Sequence, residues 1–391
     1  MKSLNKKQNY IKYAILLLVF LNFPGFVLVK ISSVLSSILS IGTYALLVLF
    51  YIDVKKKHQP NMWLVFLVVG YFSISALVNP DFTPTLRFFA SDFIKILIIL
   101  ICGEEVIQRL TEKELYSILI IGALSIVLHI YLFFDPLVDS GRFSGFYLDP
   151  NAAGFICICG YSLSFAFKGK LRFIGQILFV LMGLLTLSRT FIILLILTNL
   201  ISIKLDFKNA RLFGYGFLLI LLMVTFNEFL PIKNVRLQQL SDFVSGKEVS
   251  AKEVGNDSRD QTWAIYYDYI IDKPFFGNGY DSFSGGLALQ KISFAVGVHN
   301  TYLKILGEAG IFVFLIFILF IIKIIKSSWK IFEDKPYLFF LALNLSIFLL
   351  TVHNYFDTHH RLFLSMWIYA KIFKTIKKDT STMKPIEIDL K

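Results

Sequence analysis

Long apolar runs separated by short polar segments dominate the chain. A membrane-spanning helix needs about 20 consecutive apolar residues, and a few more or fewer are tolerated. Because lipid offers the backbone no hydrogen-bond partners, each such run should be helical. The predicted spans are residues 11–29, 31–52, 62–78, 88–102, 115–134, 151–167, 171–187, 190–203, 211–230, 301–322, 337–354 and 362–376. The pattern predicts an all-α fold, a polytopic transmembrane helical bundle of about twelve spans.

The distribution of basic residues orients these spans. With the N-terminus in the cytoplasm and twelve crossings, most lysines and arginines of the short loops lie on the cytoplasmic side, as the positive-inside rule requires. Both termini are then cytoplasmic. The short outer loops keep few basic residues, namely Lys30, Arg87, Arg142, Arg189 and Arg361. The first apolar run follows several lysines, as in a signal peptide, but no small-residue cleavage site follows it, so we expect it to remain as the first span.

This topology divides the chain into three regions. Residues 1–230 hold predicted spans one to nine, residues 231–300 form a large extracytoplasmic loop, and residues 301–391 hold the last three spans and a cytoplasmic tail. Within the loop, residues 261–272 predict a helix at the membrane surface, with Trp263, Tyr266 and Tyr267 suited to the interface. A turn at Pro274, Gly277 and Gly279 should follow it.

Composition agrees with a membrane class. Hydrophobic residues make up 56% of the chain and charged residues 17%, whereas soluble domains have about 45–50% and about 25%. The net charge of +12 would suggest a nucleic-acid partner in a soluble protein, but the basic residues follow the membrane topology and no nucleic-acid motif accompanies them. The three cysteines lie in or beside apolar runs and are interpreted as small apolar residues.

Several ionisable residues stand near the predicted outer face, where a charge close to hydrocarbon suggests function. Arg142, Arg189 and Arg259 could hold phosphate oxygens through the planar guanidinium fork. Arg189 also has a simpler interpretation as a lipid-headgroup contact at a hairpin tip, and Arg259 as a solvated loop charge, whereas helix capping does not explain Arg142. His299, just before a span, has the ordinary pKa of a general base, about 6.5, or simply starts a helix.

Other site classes find less support. Asp149 could merely cap a helix that Pro150 begins, which would explain the Asp-Pro-Asn run without chemistry. Asp357, His359 and His360 carry metal-ligand atoms, but adjacent histidines on a helix point in different directions, so no metal site is predicted. No nucleotide-binding or hydrolase motif is present. Lys95, inside a predicted span, has no explanation at this stage.

Three local motifs and their order along the chain carry a family resemblance. They are Arg142-x-x-Gly145 with Asp149-Pro150-Asn151, then Ser188-Arg189, and then Arg259-x-x-x-Trp263, Pro274-x-x-Gly277-x-Gly279, His299-Asn300-x-Tyr302-Leu303 and Glu308-x-Gly310-Ile311. With a large outer loop after the ninth span, the chain resembles the O-antigen ligase and O-antigen or capsule polymerase family of bacterial membrane glycosyltransferases. The resemblance implies a GT-C-like architecture in the cytoplasmic membrane.

The resemblance also implies substrates and roles. The donor is a glycan on undecaprenyl pyrophosphate, the acceptor is a glycan or lipid-linked repeat unit, and other proteins of polysaccharide export are further expected partners. His299 would be the catalytic base. Pyrophosphate-binding roles carry over to Arg189, Arg259, Arg142 and Arg361, and supporting roles to Asn300, Trp263, Asn151 and Tyr302. No cofactor or metal is implied, and the single displacement would invert the linkage.

Three functions remain open from the sequence. The favoured one is polymerisation of lipid-linked repeat units, and the first alternative is ligation of the finished glycan to lipid A core or another acceptor. A transporter or flippase for lipid-linked glycans is the alternative of another class. It would be expected to carry mid-bilayer charges and symmetric broken helices, whereas the candidate residues here gather at one face.

Overall fold

We describe the fold from a computed structural model of the chain. It describes residues 4–55, 57–78, 86–133, 142–210, 214, 259–285 and 297–382. The predicted span 211–230, apart from Gly214, lies outside the described residues, as do 231–258 and 286–296 of the predicted outer loop.

The described residues form α-helices joined by short turns and contain no β-strand. The helices are α1 (Lys6–Phe20), α2 (Phe23–Lys30), α3 (Ser33–Asp53), α4 (Met62–Val78), α5 (Leu86–Ile107), α6 (Glu112–Leu132), α7 (Pro150–Leu163), α8 (Gly169–Leu185), α9 (Arg189–Ile203), α10 (Arg259–Asp272), α11 (Thr301–Lys330), α12 (Pro336–Phe348) and α13 (His359–Thr382). Short 3₁₀ turns occur at Gly145–Tyr147, Ser164–Ala166 and Phe207–Ala210. The all-helical prediction is confirmed, and every predicted span other than 211–230 overlaps an α-helix.

Within the described residues, three helices are long and apolar enough by themselves to cross a membrane: α3, α6 and α11. Helices α1 and α2 pass the same test only as a pair, and they meet at a bend of 55°. The span predicted over residues 11–29 therefore consists of two helices rather than one. Asn22 adopts a left-handed φ of 52° between the two helices, and Pro24 lies in the first turn of α2, so the backbone cannot continue as one helix.

Polar side chains at the helix starts explain where several helices begin. Asn5 with Gln8 and Thr111 with Glu114 each form a reciprocal capping box at the starts of α1 and α6. The side chain of each capping residue accepts a hydrogen bond from a backbone N–H that the helix itself leaves unpaired. Ser188 caps α9 in the same way, by accepting from the Phe191 backbone N–H.

One large apolar cluster forms the centre of the bundle and draws on most of the helices. Two glycines, which have no side chain, allow aromatic rings to pack directly against the helix backbone. At Gly160 and Gly183 an added Cβ would lie 2.2 Å and 2.1 Å from the rings of Phe179 and Phe191. These contacts hold α7, α8 and α9 against one another, and those three helices carry the first part of the candidate site.

Helix α11 is broken near its first third, and the predicted turn docks into the break. Gly310 has φ 77° and ψ −175°, which leaves neighbouring backbone groups free of the helical ladder. The Ile311 N–H donates to the Pro274 carbonyl at 2.9 Å, and the Gly279 N–H donates to the Glu308 carbonyl at 3.0 Å. The turn predicted at 274–279 is confirmed, and it joins the outer loop to α11.

Candidate functional site

Two segments that are far apart in sequence meet at Asn151. Its side-chain oxygen accepts hydrogen bonds from Arg142 Nη2 at 3.3 Å and from Ser188 Oγ at 3.0 Å. Arg142 Nε also donates to the Thr186 carbonyl at 3.3 Å. The first two motifs of the sequence therefore form one polar cluster, in which an amide side chain joins a guanidinium to the turn between α8 and α9.

The local backbone places Asn151 at the start of a helix. Asp149 caps α7 and accepts from the Asn151 N–H at 2.8 Å, with Pro150 in the first turn. The predicted capping role of Asp149 is confirmed. Gly145 has a positive φ of 57° and lies so close to α6 that an added Cβ would be 2.2 Å from Ser125 Oγ, so the segment that carries Arg142 packs tightly against α6.

Arg189 is the first residue of α9, and its side chain is exposed beside this cluster. The turn before it places Leu187 in a left-handed conformation with φ 49°, while Ser188 is fully buried. The predicted hairpin tip is therefore present. It also carries a cation that faces outward next to the Arg142–Asn151 pair.

His299 occupies the turn that leads into α11. Its φ is 46°, its side chain is half-buried, and Asn300 follows as the helix cap. The Asn300 side-chain oxygen accepts from the Tyr302 N–H at 3.0 Å and the Leu303 N–H at 3.2 Å. The His299 ring contacts the ring of His353, with centroids 4.9 Å apart and an interplanar angle of 73°.

The segment between α12 and α13, residues 349–358, is fastened to the start of α11. The Thr301 N–H donates to the Leu349 carbonyl at 2.9 Å, and its hydroxyl donates to the Val352 carbonyl at 2.6 Å. Lys304 Nζ lies 3.6 Å from the Asp357 carboxylate. These contacts fix the segment that carries His353 against the segment that carries His299.

Sequence reasoning missed His353. Burial, followed by the positive charges of Lys304, His299 and Arg361, lowers its pKa to about 3 from its ordinary value, against the opposing effect of a hydrogen bond with the Ser284 backbone. Its Nδ1 atom is buried and accepts or donates no hydrogen bond among the described residues. A signal was present in the sequence, because the dipeptide His299-Asn300 recurs at 353–354.

Arg361 lies elsewhere than its predicted place in an outer loop. It belongs to α13, is only 2% exposed, and donates to both the backbone and side-chain oxygens of Asn354. The carboxylates of Asp149 and Asp357 interact with its charge. The guanidinium is therefore bound to the segment that carries His353, while its Nε is buried and has no hydrogen-bond partner among the described residues.

The remaining predicted site residues have structural contacts. The Tyr302 hydroxyl donates to the Ser346 carbonyl at 2.8 Å. Trp263 packs beside Tyr266, Phe283 and Val298. Tyr266 is fully buried against the Phe283 ring, with centroids 4.6 Å apart. The prediction that Tyr266 faces the membrane interface is therefore wrong, because this ring helps to hold α10 on the loop that precedes His299.

Arg259 begins α10 rather than preceding it, and its side chain lies outside the described part of the structure. The predicted helix over residues 261–272 is confirmed with that earlier start. Lys95, which had no explanation, forms an ion pair with Asp92 at 3.0 Å, one helical turn away on α5. Asp92 also accepts from the Tyr280 hydroxyl at 2.7 Å.

Glu308 begins the last part of the family motif and is fully buried. Its side chain accepts from the Phe283 N–H at 2.9 Å and from the Tyr71 hydroxyl. The hydroxyl of Ser75, also on α4, donates to its backbone carbonyl at 3.4 Å. Glu308 therefore ties α4 and the outer-loop turn to the broken part of α11.

The three residues near the start of α13 that could ligate a metal each contact a different partner. Asp357 pairs with Lys304, His359 shares a hydrogen bond of 2.9 Å with the Tyr44 hydroxyl, and the His360 ring packs on Tyr147 with centroids 5.6 Å apart. Over the described ranges, no group of three or more His, Cys, Asp or Glu side chains could hold a metal ion. The three cysteines are buried and unbridged.

Comparison with known proteins agrees with the resemblance in the motifs. A family model described as O-antigen ligase matches residues 174–318. The matched stretch begins in α8, ends within α11 and includes Arg189, Arg259 and His299. The predicted resemblance to the O-antigen ligase and polymerase family is confirmed. No curated protein matches the chain. Together with the apolar helices, the family match identifies a membrane protein.

Proposed function

Since residues 174–318 match a family model described as O-antigen ligase, we propose that the chain is a membrane glycosyltransferase that uses a polyprenyl-pyrophosphate-linked glycan donor. Its reaction polymerises undecaprenyl-pyrophosphate-linked repeat units into O-antigen or capsular polysaccharide at the outer face of the cytoplasmic membrane. The proposed topology has about twelve spans, cytoplasmic termini and an extracytoplasmic loop at 231–300.

One observation carries the proposal. Arg142, Asn151 and the turn before Arg189 form a polar cluster that holds a cation. The charge of Arg361 interacts with the carboxylate of Asp149, which caps the helix of Asn151, and Arg361 also donates to Asn354, beside the His353 ring that contacts His299. Cations that can neutralise a leaving pyrophosphate and an imidazole that can take a proton thus belong to one connected neighbourhood. A transferase with a phosphorylated leaving group needs both groups within the reach of one substrate.

The proposed chemistry is a single displacement. An acceptor hydroxyl loses its proton to His299, and its oxygen forms a bond to the anomeric carbon of the donor glycan. The bond from that carbon to the pyrophosphate oxygen breaks, and undecaprenyl pyrophosphate departs with the electron pair. Arg189, Arg259 and Arg142 stabilise the negative charge that develops on it. Attack opposite to the leaving group inverts the linkage, through an oxocarbenium-like transition state.

Substitution of His299 tests the base assignment. His299→Ala should lower turnover by at least about a hundredfold, since general-base catalysis typically contributes that much. His58→Gln, which changes a histidine bound to Glu105, is the matched control and should keep most of the activity. Purified protein in nanodiscs, a lipid-linked donor and a gel assay of glycan length provide the measurement. Near-normal turnover in His299→Ala would remove the base assignment.

A chelator tests the metal-free part of the mechanism. The proposed neutralisation by arginines needs no added cation, so turnover should continue after treatment with a chelator. Complete loss of turnover, restored by adding back a divalent ion, would count against it. Arg189→Lys provides a second test, because lysine keeps the charge but lacks the planar fork, and we expect a higher KM for the donor.

The acceptor distinguishes polymerase from ligase. The family description names ligation, which keeps transfer to lipid A core or another acceptor as the second candidate. Deletion of the gene should leave single repeat units on undecaprenyl if the chain polymerises. Accumulation of long, unligated glycans on the lipid would instead identify a ligase.

A further inference from the structure

His353 has three features that a packing residue does not need. Its ring lies edge-on to that of His299, with centroids 4.9 Å apart. Its Nδ1 atom is buried without a hydrogen-bond partner among the described residues. The space around it is also closed, since a Cβ added at Gly297 would lie 2.7 Å from the His353 ring. An aliphatic side chain would fill that space without burying an unsatisfied nitrogen, which is unfavourable.

The hydrogen bond between the His353 ring and the Ser284 backbone determines whether Nδ1 of His353 carries a proton. The Ser284 backbone hydrogen-bonds with the His353 side chain, and the Ser284 carbonyl oxygen and His353 Nε2 both border the position of Gly297. A carbonyl accepts, so the ring nitrogen that meets it carries the proton. In a neutral imidazole the second nitrogen then has a lone pair, and here that nitrogen is the unpartnered Nδ1.

The charges around His353 keep the ring neutral. Lys304 from α11, Arg361 from α13 and His299 from the adjoining turn all oppose a proton on it, while the Ser284 carbonyl favours one. Burial prevails, together with Lys304, a protonated His299 and Arg361, and holds the pKa of His353 near 3. At neutral pH, His299 therefore faces an uncharged, electron-rich ring rather than an imidazolium.

We infer that His353 is a positioning residue for His299, whose neutral imidazole holds the His299 ring and stabilises the imidazolium formed when His299 takes the proton of the acceptor. This role rests on the proposed function. It resembles the support that an orienting group gives to a catalytic histidine in other enzymes, but without a negative charge. A neutral partner suits this site, because a carboxylate beside the departing pyrophosphate would repel it.

The inference predicts how His299 titrates. A hydrogen bond or ring contact that favours the charged form of a histidine raises the pH midpoint of its titration. Removing such a contact lowers that midpoint by about one to two pH units. His353→Leu keeps a similar volume and removes both the lone pair and the aromatic face. We expect the His299 midpoint to fall by that amount in His353→Leu and by less in His353→Gln, which retains a polar acceptor.

His360→Leu is the matched control. His360 is buried, and its Nε2, like the Nδ1 of His353, has no hydrogen-bond partner among the described residues. The His360 ring contacts Tyr147 instead of His299. The midpoint of His299 should stay at the wild-type value in this variant. A shift of equal size in both leucine variants would show a general effect of losing a buried imidazole and would overturn the inference.

The measurement is a pH titration of ¹⁵N-histidine-labelled protein in nanodiscs, followed by NMR, with the His299 signal assigned from His299→Gln. The titration of the wild-type protein tests the coupling between the two histidines without any substitution at His353. Protonation of His299 should shift the His353 nitrogens with the same midpoint, while His353 itself stays neutral above about pH 4. Independence of the two signals, or an unchanged midpoint in folded His353→Leu, would overturn the inference.

Turnover separates this inference from the proposed function. In His353→Leu, kcat should fall by about tenfold or more with little change in KM, and the acidic limb of the pH profile should move to lower pH. Loss of activity in His299→Ala with a wild-type titration in His353→Leu would reject only the positioning role. A coupled titration in a protein that transfers no glycan would reject only the proposed function.

Discussion

Gly310 occupies a backbone conformation that other residues avoid, and replacing it with alanine tests how the outer-loop turn is held. The φ of 77° and ψ of −175° lie in a region that is almost exclusive to glycine. An alanine Cβ there would lie 2.0 Å from the Phe275 carbonyl oxygen and 2.3 Å from its carbonyl carbon. Both obstructing atoms belong to the backbone, so no side-chain rotation relieves the clash.

The expected cost combines two effects. Backbone strain of this kind costs about 1–3 kcal/mol, and forcing an extra carbon into a packed site costs about another 1–3 kcal/mol. The hydrogen bond from the Ile311 N–H to the Pro274 carbonyl at 2.9 Å weakens further if the turn moves away. We therefore expect Gly310→Ala to lower the free energy of unfolding by about 2–6 kcal/mol.

Gly42→Ala is the matched control for this substitution. Gly42 lies within α3, and a Cβ added there meets no atom of the described residues within 4 Å. Alanine is the better helix former by about 0.5–1 kcal/mol, so this variant should be as stable as the wild type or slightly more stable. The two variants carry the same chemical change at a strained and an unstrained position.

Unfolding by SDS titration in mixed micelles measures both variants, and limited proteolysis of the outer loop reports whether the turn has left α11. Gly310→Ala should unfold at a lower SDS fraction and be cleaved faster near residues 273–279. If Gly310→Ala and Gly42→Ala unfold together and resist proteolysis equally, the turn is not held by the break in α11, and the steric reasoning is wrong.

Three further predictions concern the site. Asn151→Ala should raise the KM for the lipid-linked donor several-fold, since it separates Arg142 from Ser188, whereas Asn151→Asp keeps an acceptor for both and should retain more affinity. Asn300→Ala should lower the free energy of unfolding by about 1 kcal/mol through loss of a helix cap, and Asn300→Asp should restore it. The pKa of His353 is lowered to about 3, so between pH 3 and the ordinary value of about 6.5 the unfolded chain binds one more proton than the folded chain. The free energy of unfolding is therefore unaffected by titration of this histidine above about pH 6.5. Below that pH it falls by about 1.4 kcal/mol per pH unit until about pH 3. His353→Leu should flatten the decrease measured between pH 6 and pH 4, and an unchanged slope would contradict the assignment.

The family motif at 274–310 shows how function and structure overlap in one pattern. Pro274, Gly277 and Gly279 were predicted to form a turn, and the Glu308-x-Gly310 pair was a family signature without an individual explanation. In the fold these residues are partners: a Cβ at Gly277 would lie 2.4 Å from the Glu308 backbone, and one at Gly310 would meet Phe275. The glycines in this part of the motif therefore allow a close backbone contact, and that contact orients the loop before His299.

Arg361 and His353 show the limit of reading residues by their position in the sequence. Arg361 was expected in an outer loop, with a pyrophosphate-binding role implied by the family resemblance, and the structure buries it in α13 and binds it to Asn354. His353 lies at the end of a predicted span and was passed over. Hydropathy reports which segments are apolar, but it contains no information on which helix end approaches which loop.

The sequence by itself determined the helical class, the helix start at Asp149 and the family resemblance, because hydrophobic run length, capping side chains and local motifs act between residues that are close along the chain. Only the tertiary structure decided that Asn151 joins Arg142 to Ser188 and that His353 faces His299. Those contacts join residues separated by up to 54 positions, and their existence depends on how the helices pack, which no local pattern encodes.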